Sequence, residues 1–322
     1  MNLRKDNSRL GEIVTRENVT RVEPKGIHLE RYTRPFEIFD VSECADSQEV
    51  GEKIDAGTYR MVPSTECGGH SVVKDHHDNA LTIVNSTYKL SQPLHTIAEL
   101  ETLQAPLGFK WSQAGFLNNG KKLFLKCDLG EFDVNGDGSD VIKKHLICLD
   151  GFDGGNARQI LLGFVRMACS NGQLMYDVDS YVFKVKHTKN AQSRVDAALS
   201  EATGIKQRFQ FLEDDLALLS TTDFSEKQVE VVARHVFPQD TKQAENNRER
   251  ILEQFNNSSL GTFGRTAWDC FNGFTAFNNH DRSYRKTAIT TASENQFLGT
   301  QVNSRQFGLN VRKGIELALE VN

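Results

Sequence analysis

The sequence lacks what a membrane protein needs: no window of it approaches the apolar length that crosses a bilayer. The N-terminus, Met1 to Ser8, is polar and carries no apolar core of a secretion signal. The six cysteines, Cys44, Cys67, Cys127, Cys148, Cys169 and Cys270, are scattered and form no C-x-x-C pair. Three of them, Cys127, Cys148 and Cys169, lie in apolar runs, where a thiol acts as a small hydrophobe. These absences point to free thiols in a reducing compartment, and so to a cytoplasmic protein with no membrane partner. There is no G-x-S-x-G elbow and no P-loop, so nucleophilic catalysis and nucleotide hydrolysis find no motif here. No internal repeat, low-complexity linker or cofactor motif stands out.

What is present is ordinary globular composition. Over 322 residues, 38% are hydrophobic and 25% charged, enough for a sizeable core in one large domain or two. The formal charge of −5 excludes a protein that is basic all over, though not one with a local basic stripe.

The chain reads as strands first and helices later. Residues 1–80 are polar and irregular, an N-terminal arm or elaboration, with an extended piece at Tyr32–Val41 and one or two helical turns at Glu49–Ile54. The stretch 81–90 is rich in β-branched residues, and His95–Gln104 has helical spacing. Phe109–Leu117 and Lys122–Leu129 read as strands joined by Asn118-Asn119-Gly120, where Asn-Gly suits a two-residue hairpin turn. Val141–Leu149 follows as a strand, then a glycine-rich turn, a second apolar run ending in Arg166 to Asn171, and a strand over Tyr181–Lys186 closed by His187-Thr188. Helical patterns cover Asn190–Thr203 and Arg208–Ser220. They recur after the N-cap candidate Ser225, over Glu245–Phe255, along the aromatic stripe Trp268, Phe271, Phe274, Phe277, and over Val311–Val321. Residues 294–306, rich in amides and glycine, suit a loop or a subunit contact. The expected class is α+β, an antiparallel sheet in the middle of the chain backed by C-terminal helices. The expected organisation is 1–80 as elaboration, 81–220 as sheet core with following helices, and 221–322 as a helical region packed on it.

Two clusters resemble metal sites and are better read as loops. Asp133-Val-Asn135-Gly-Asp137-Gly138 matches the start of a calcium loop, but the twelfth position, which should be a bidentate glutamate, is Lys144. A hairpin loop without tight calcium binding is expected. His70, Asp75, His76, His77 and Asp78 offer imidazole and carboxylate, but adjacent histidines on an extended chain point to opposite sides, which favours a solvated loop over a metal. Cys169 follows Phe164, Val165, Met167 and Ala168, so a buried structural thiol is favoured over a nucleophile.

The basic residues carry the functional expectation. Lys121, Lys122 and Lys126 lie on one hairpin, and Lys184, Lys186 and His187 lie along the strand 181–187, expected to share one sheet face. Lys189 and Arg194 extend the patch into the next helix, and Trp111, Phe116 and Phe124 accompany it. Cations for phosphates and flat rings for unpaired bases are what a groove for single-stranded nucleic acid requires. The bland alternative is a solvated sheet face with its aromatics in the core.

Four segments, in order, resemble a family of phage- and plasmid-encoded proteins of unassigned function. They are Asp150 to Ala157, Val165 to Leu174 with Arg166, Cys169 and Asn171, Lys186-His187-Thr188 with Arg194, and Thr266 to Thr275 with His280. The likeness spans roughly residues 81–320; Phe271 and Gly273 depart from the usual Tyr and Ala. The resemblance implies a mobile-element origin and action in the cytoplasm of a bacterial host. By analogy with phage strand-annealing proteins it suggests a homo-oligomer with a basic groove.

The leading expectation is therefore a binder of single-stranded DNA acting in recombination or replication. Lys121, Lys122, Lys126, Arg166, Lys184, Lys186, His187, Lys189 and Arg194 would meet phosphates, and Trp111 or Phe124 would stack on bases. The alternatives are an enzyme using His187 and His280 with Asp153 or Asp269, with or without a metal, and a structural or host-interaction protein.

Overall fold

The computed structural model describes residues 20–22, 29–31, 37–65, 68–136, 138, 140–166, 181–200, 202–257, 265–277 and 301–320. Cys67, Cys169, Asn171 and His280 lie outside them.

The centre is a six-stranded antiparallel sheet. Four long strands form a meander: β7 (Lys110–Leu117), β8 (Lys122–Asp133), β9 (Val141–Gly151) and β10 (Arg158–Arg166). The strand β11 (Tyr181–Val185) pairs with β10 at one edge, and β3 (Glu37–Asp40) pairs with β7 at the other. The β3 contact is close. A Cβ on Gly115 would lie 1.9 Å from the Glu37 carbonyl oxygen, so glycine there lets the edge strand dock. A two-stranded ribbon, β1 (Thr20–Val22) with β2 (Leu29–Arg31), precedes β3.

A smaller antiparallel sheet is made of β4 (Arg60–Pro63), β5 (His70–Lys74) and β6 (Ala80–Asn85), and it follows the helix α1 (Ser47–Lys53). This corrects the expectation that residues from 81 onward all join one sheet. The short turn between β5 and β6 makes local hairpin pairing available, and that pairing takes up 80–85. The sheet lies in a region that reads as irregular. Val41, Val50, Ile54, Tyr59 and Val73 from this region belong to the same core cluster as the central sheet.

In the chain, α2 (Pro93–Glu101) and the short α3 (Gln104–Leu107) come between β6 and β7. After β11 the chain is helical among the described residues: α4 (Ala191–Ser200), α5 (Ala202–Thr221), α6 (Glu226–Val236), α7 (Lys242–Phe255), α8 (Ala267–Ala276) and α9 (Gln301–Glu320). The class is thus α+β, with the sheet in the middle of the chain and helices after it. Ser225 caps α6 in a reciprocal box with Gln228, and Thr266 caps α8 in one with Asp269. The backbone is helical from 301, so part of the expected amide-rich loop is helix instead.

Alternation along the strands sorts the two sheet faces. Leu123, Leu125, Cys127, Ile142, Leu146, Cys148, Ile160, Leu162, Phe183 and Val185 join the helices in the main core. Trp268, Phe271, Phe274 and Phe277 of the aromatic stripe are core members too. On the opposite face a small cluster gathers Leu117, Phe124, Ile147, Leu149 and Leu161.

The β7–β8 connection is a four-residue loop, because Leu117 pairs with Lys122, and this corrects the expected two-residue turn. Asn118, Asn119 and Gly120 take φ of 51°, 58° and 80°, so the tolerance of Asn and Gly for left-handed backbone is used three times rather than twice. In the β8–β9 loop Asp133 accepts from the Asn135 and Gly138 N–H groups. Asp140 accepts from Trp268 Nε1 at 2.7 Å, and Lys144 at the would-be twelfth position pairs with Glu213 at 2.8 Å.

Candidate functional site

At one end of the central sheet the strands bring Lys122 beside Gly151, and Asp150 beside Arg158, with Val185 next in the row. Asp150 ends the apolar run of β9 and Arg158 begins that of β10, so both point to the helix-covered face. There α2 descends on them. Asp150 is fully buried and Arg158 is 5% exposed. Asp150 Oδ2 accepts from Ser91 Oγ (2.8 Å), Thr96 Oγ1 (2.7 Å) and Arg158 Nε (3.0 Å). Arg158 also donates from Nη2 to Thr96 Oγ1 at 2.6 Å and from Nη1 to Glu99. Gln192 of α4 donates to Glu99 as well. Each polar atom of the guanidinium is thereby satisfied, which is the condition for burying a charge.

His187 completes the network. Its side chain is 6% exposed, and its Nε2 lies 3.1 Å from Asp150 Oδ1. Among the described residues His187 Nε2 has no polar neighbour recorded besides this carboxylate. Tyr88 packs against the imidazole with ring centroids 5.0 Å apart and donates its hydroxyl to the Gly151 carbonyl at 2.7 Å. Burial would raise the Asp150 carboxyl; His187, Arg158 and Thr96 outweigh it and hold the pKa at about 2. For Arg158, burial would lower the pKa, but Asp150 and Glu99 raise it instead. Burial, followed by the charge of Asp150, pushes the Tyr88 phenol up.

Above this floor is a cavity of about 220 Å³, lined by Arg158, His187, Val185 and Val195 and rimmed by Lys89, Thr188 and Lys189. The rim residues Lys89, Thr188 and Lys189 are exposed. The cavity also reaches Ala191 and Gln192, the start of α4, where the Ala191 N–H already donates to the Thr188 carbonyl at 2.9 Å. Among the described residues no carboxylate forms an ion pair with Lys89, Lys186, Lys189 or Arg194.

The expected basic patch is therefore divided. His187 has the parity of Val185, not of Lys184, so it faces the main core and not the Lys184 side, which corrects the shared face. Lys184 sits in the row Gln159–Leu149–Phe124 on the opposite face, where Lys126 is half-buried and burial lowers its pKa. Lys121 and Lys122 are half-buried at the same sheet end as Asp150. Lys186, Lys189 and Arg194 are exposed. Arg166 ends β10, far along the strand from Arg158, and its side chain lies outside the described residues. Trp111 and Phe124 are each 1% exposed and cannot stack on bases. Their rings fill the two sides of the sheet, Trp111 in the main core and Phe124 in the small cluster.

The carboxylate beside His187 is Asp150, not Asp153 or Asp269. Asp153 caps its own turn through Gly155 N–H and Asn156 Nδ2, and Asp269 caps α8. Sequence reasoning misses Asp150, Arg158, Thr96, Glu99, Ser91 and Lys89 as site residues. Their one sequence signal is a charge at the abrupt end of an apolar strand, Asp150, answered by one at the start of the next, Arg158.

The fold and site together define an α+β protein with a buried Asp–Arg–His network beneath a basic-rimmed pocket. A family model, described as a domain of unknown function (DUF932), matches residues 80–298, and the chain belongs to that family. Comparison with curated proteins and with solved structures finds no match. The resemblance to a family without an assigned function is therefore upheld. Two of the four resembling segments, those holding Asp150 and His187, meet in the network. The one holding Trp268 packs at the other end of β9, through Asp140. Among the described residues no helix is long and apolar enough to cross a membrane.

Proposed function

We propose that the protein binds single-stranded nucleic acid through this pocket and the sheet end beside it. The observation that carries the reading is the pocket itself: two exposed lysines, a threonine hydroxyl and a helix start around a polar floor. In the floor, Arg158 is offset by Asp150 and Glu99, so the excess positive charge belongs to the rim. A helix start with cations beside it suits a phosphate oxygen. From Lys186 to Lys122 the sheet end spans three strand spacings, roughly 14 Å, long enough for a backbone to run across. The role would be single-strand binding or annealing in recombination or replication, by a homo-oligomer in the cytoplasm of a bacterial cell.

Fluorescence anisotropy with a labelled single-stranded oligonucleotide, over a series of salt concentrations, tests this. Light scattering on the same samples reads the assembly. The double variant Lys89→Gln, Lys189→Gln should bind more weakly and should lower the salt slope by about 1.4, at roughly 0.7 per phosphate contact. Absence of wild-type binding at low salt removes the function, whereas binding unchanged in the variant removes the site.

One observation favours a second reading. A buried carboxylate beside an imidazole at a pocket is how a general base is oriented. If the site cleaves phosphodiesters, wild type should degrade the oligonucleotide and His187→Asn should leave it intact while still binding it. An oligonucleotide that stays whole with wild type ends this reading and leaves the first untouched.

A further inference from the structure

Outside the family match lies a second cluster, built on the turn between β5 and β6. We propose that Asp55, His76 and His77 hold a divalent transition-metal ion of the zinc class.

The turn is the reason the two adjacent histidines cooperate. Residues 76 and 77 form a turn rather than extended chain, so the alternation that would send their rings apart does not apply. Asp75, 3% exposed, holds that turn: its Oδ1 accepts from the N–H groups of His77 (3.0 Å) and Asn79 (2.8 Å), and its Oδ2 from Asn79 Nδ2 (2.9 Å). The imidazoles consequently lie side by side, centroids 3.9 Å apart. Both present Nε2 to one carboxylate, His76 at 3.0 Å from Asp55 Oδ1 and His77 at 2.7 Å from Asp55 Oδ2. All three donor positions fall within 4.8 Å of one another.

The other side of the cluster is equally specific. Asp55 follows α1 with a left-handed backbone, φ 54°, a conformation aspartate tolerates better than most side chains. Gly57 lies directly under the His76 ring, where an added Cβ would come within 2.0 Å of Cγ. Backbone at two distant points is thus shaped to bring one carboxylate and two imidazoles together.

Chemistry then selects the ion. Metal–ligand bonds of roughly 2.0–2.2 Å place neighbouring donors about 3 Å apart, which is the spacing of Asp55 from each histidine. Two imidazole nitrogens with one carboxylate suit zinc, cobalt, nickel or copper, and not magnesium or calcium. The side chains of Asp55 and His77 are 59% and 49% exposed, so water can fill the remaining positions. His76 Nδ1 is buried without a partner among the described residues, so none of them supports that ring from behind. Such support is worth about 10- to 100-fold in affinity, and its lack sets the expected binding in the micromolar range rather than tighter. The ion would tie the loop after α1 to the β5–β6 hairpin, a staple for the smaller sheet.

The test uses the full chain at pH 7.5, with zinc followed by calorimetry and cobalt by its visible absorption. The expected result is one equivalent of either ion per chain at micromolar affinity, with no response to magnesium. Asp55→Asn and His77→Asn, both at exposed side chains, should each weaken binding by about tenfold or more. Thermal melting without metal confirms that the variants fold. No saturable binding by wild type overturns the proposal. So does binding that survives in both variants, or a cobalt spectrum with a thiolate charge-transfer band, since either places the ion on other residues. Oligonucleotide binding should be unchanged by His77→Asn, which separates this site from the pocket at His187.

Discussion

Replacing Arg158 by methionine should cost the protein about 3–5 kcal/mol of stability, the usual penalty for orphaning one partner of a buried charge set. The volume is nearly kept, so a cavity contributes little. What remains is electrostatic. Asp150, with no exposed surface, keeps only the hydroxyls of Ser91 and Thr96 and the imidazole of His187, and Glu99 loses its guanidinium. The pH dependence identifies the cause. In wild type, Asp150 has a folded pKa of about 2, below its ordinary 3.8, so its contribution is present above about pH 4 and fades as pH falls toward 2. Removing Arg158 takes away one of the main offsets to burial, so the carboxyl rises from its wild-type value. The folded variant then gains by protonation, and its deficit should shrink as the solution is acidified. Urea unfolding of both proteins between pH 2 and 7 measures this. A deficit below about 1 kcal/mol, or one independent of pH, would mean the network is solvated rather than buried.

The network also marks how far the sequence was legible. Strands announced themselves wherever apolar and polar residues alternate or run together, as in Leu146 to Leu149. Helices did so wherever a cap precedes helical spacing, as at Ser225. The meander followed from short turns between neighbouring runs, and the α+β order from what comes after Thr188. Which distant residues meet was not legible. Arg158 finds Glu99 and Thr96 about sixty positions earlier because α2 lies across the sheet end, and no local pattern encodes that crossing. His187 is a different case. Period-two counting from Val185 places it on the core face, so the signal existed and adjacency to Lys186 masked it. For His76 and His77 the assumption of extended chain failed because Asp75 folds the turn. An aspartate two before His77 and four before Asn79 is an Asx-turn pattern that could have been read. Trp111 and Phe124 show the limit of composition: aromatics beside lysines in sequence lay in the core, and only burial separates the two roles.

The opposite face of the sheet should show the larger response to mild acid, through His145. This residue is 2% exposed on β9, paired across to Asp128 and Gly163. Burial first, then repulsion from Lys126 and Lys143 against partial offsets from Asp128 and the Cys127 backbone, lowers its pKa from 6.5 to about 4. The folded protein therefore holds His145 neutral where the unfolded chain would protonate it. A group depressed in the folded state contributes fully above its unfolded pKa, here about 6.5. The contribution declines as pH falls and is gone below the folded value of about 4. Each tenfold drop in proton affinity corresponds to about 1.36 kcal/mol, so the loss across that window is about 3 kcal/mol, a large part of the stability of an ordinary domain. Lys126 on the neighbouring strand works in the same sense, since burial already lowers its own pKa and a second cation beside it is opposed. Changing His145 to leucine removes the titrating ring and keeps an apolar group among Ile147, Phe124 and Leu161 on that face. The variant should unfold in urea with a stability that is flatter by about 3 kcal/mol between pH 7 and pH 4, while its value near pH 7 reflects packing alone. Parallel pH profiles for the two proteins, or a histidine resonance assigned to His145 that titrates near 6.5, would show that the ring reaches solvent and that acid acts elsewhere.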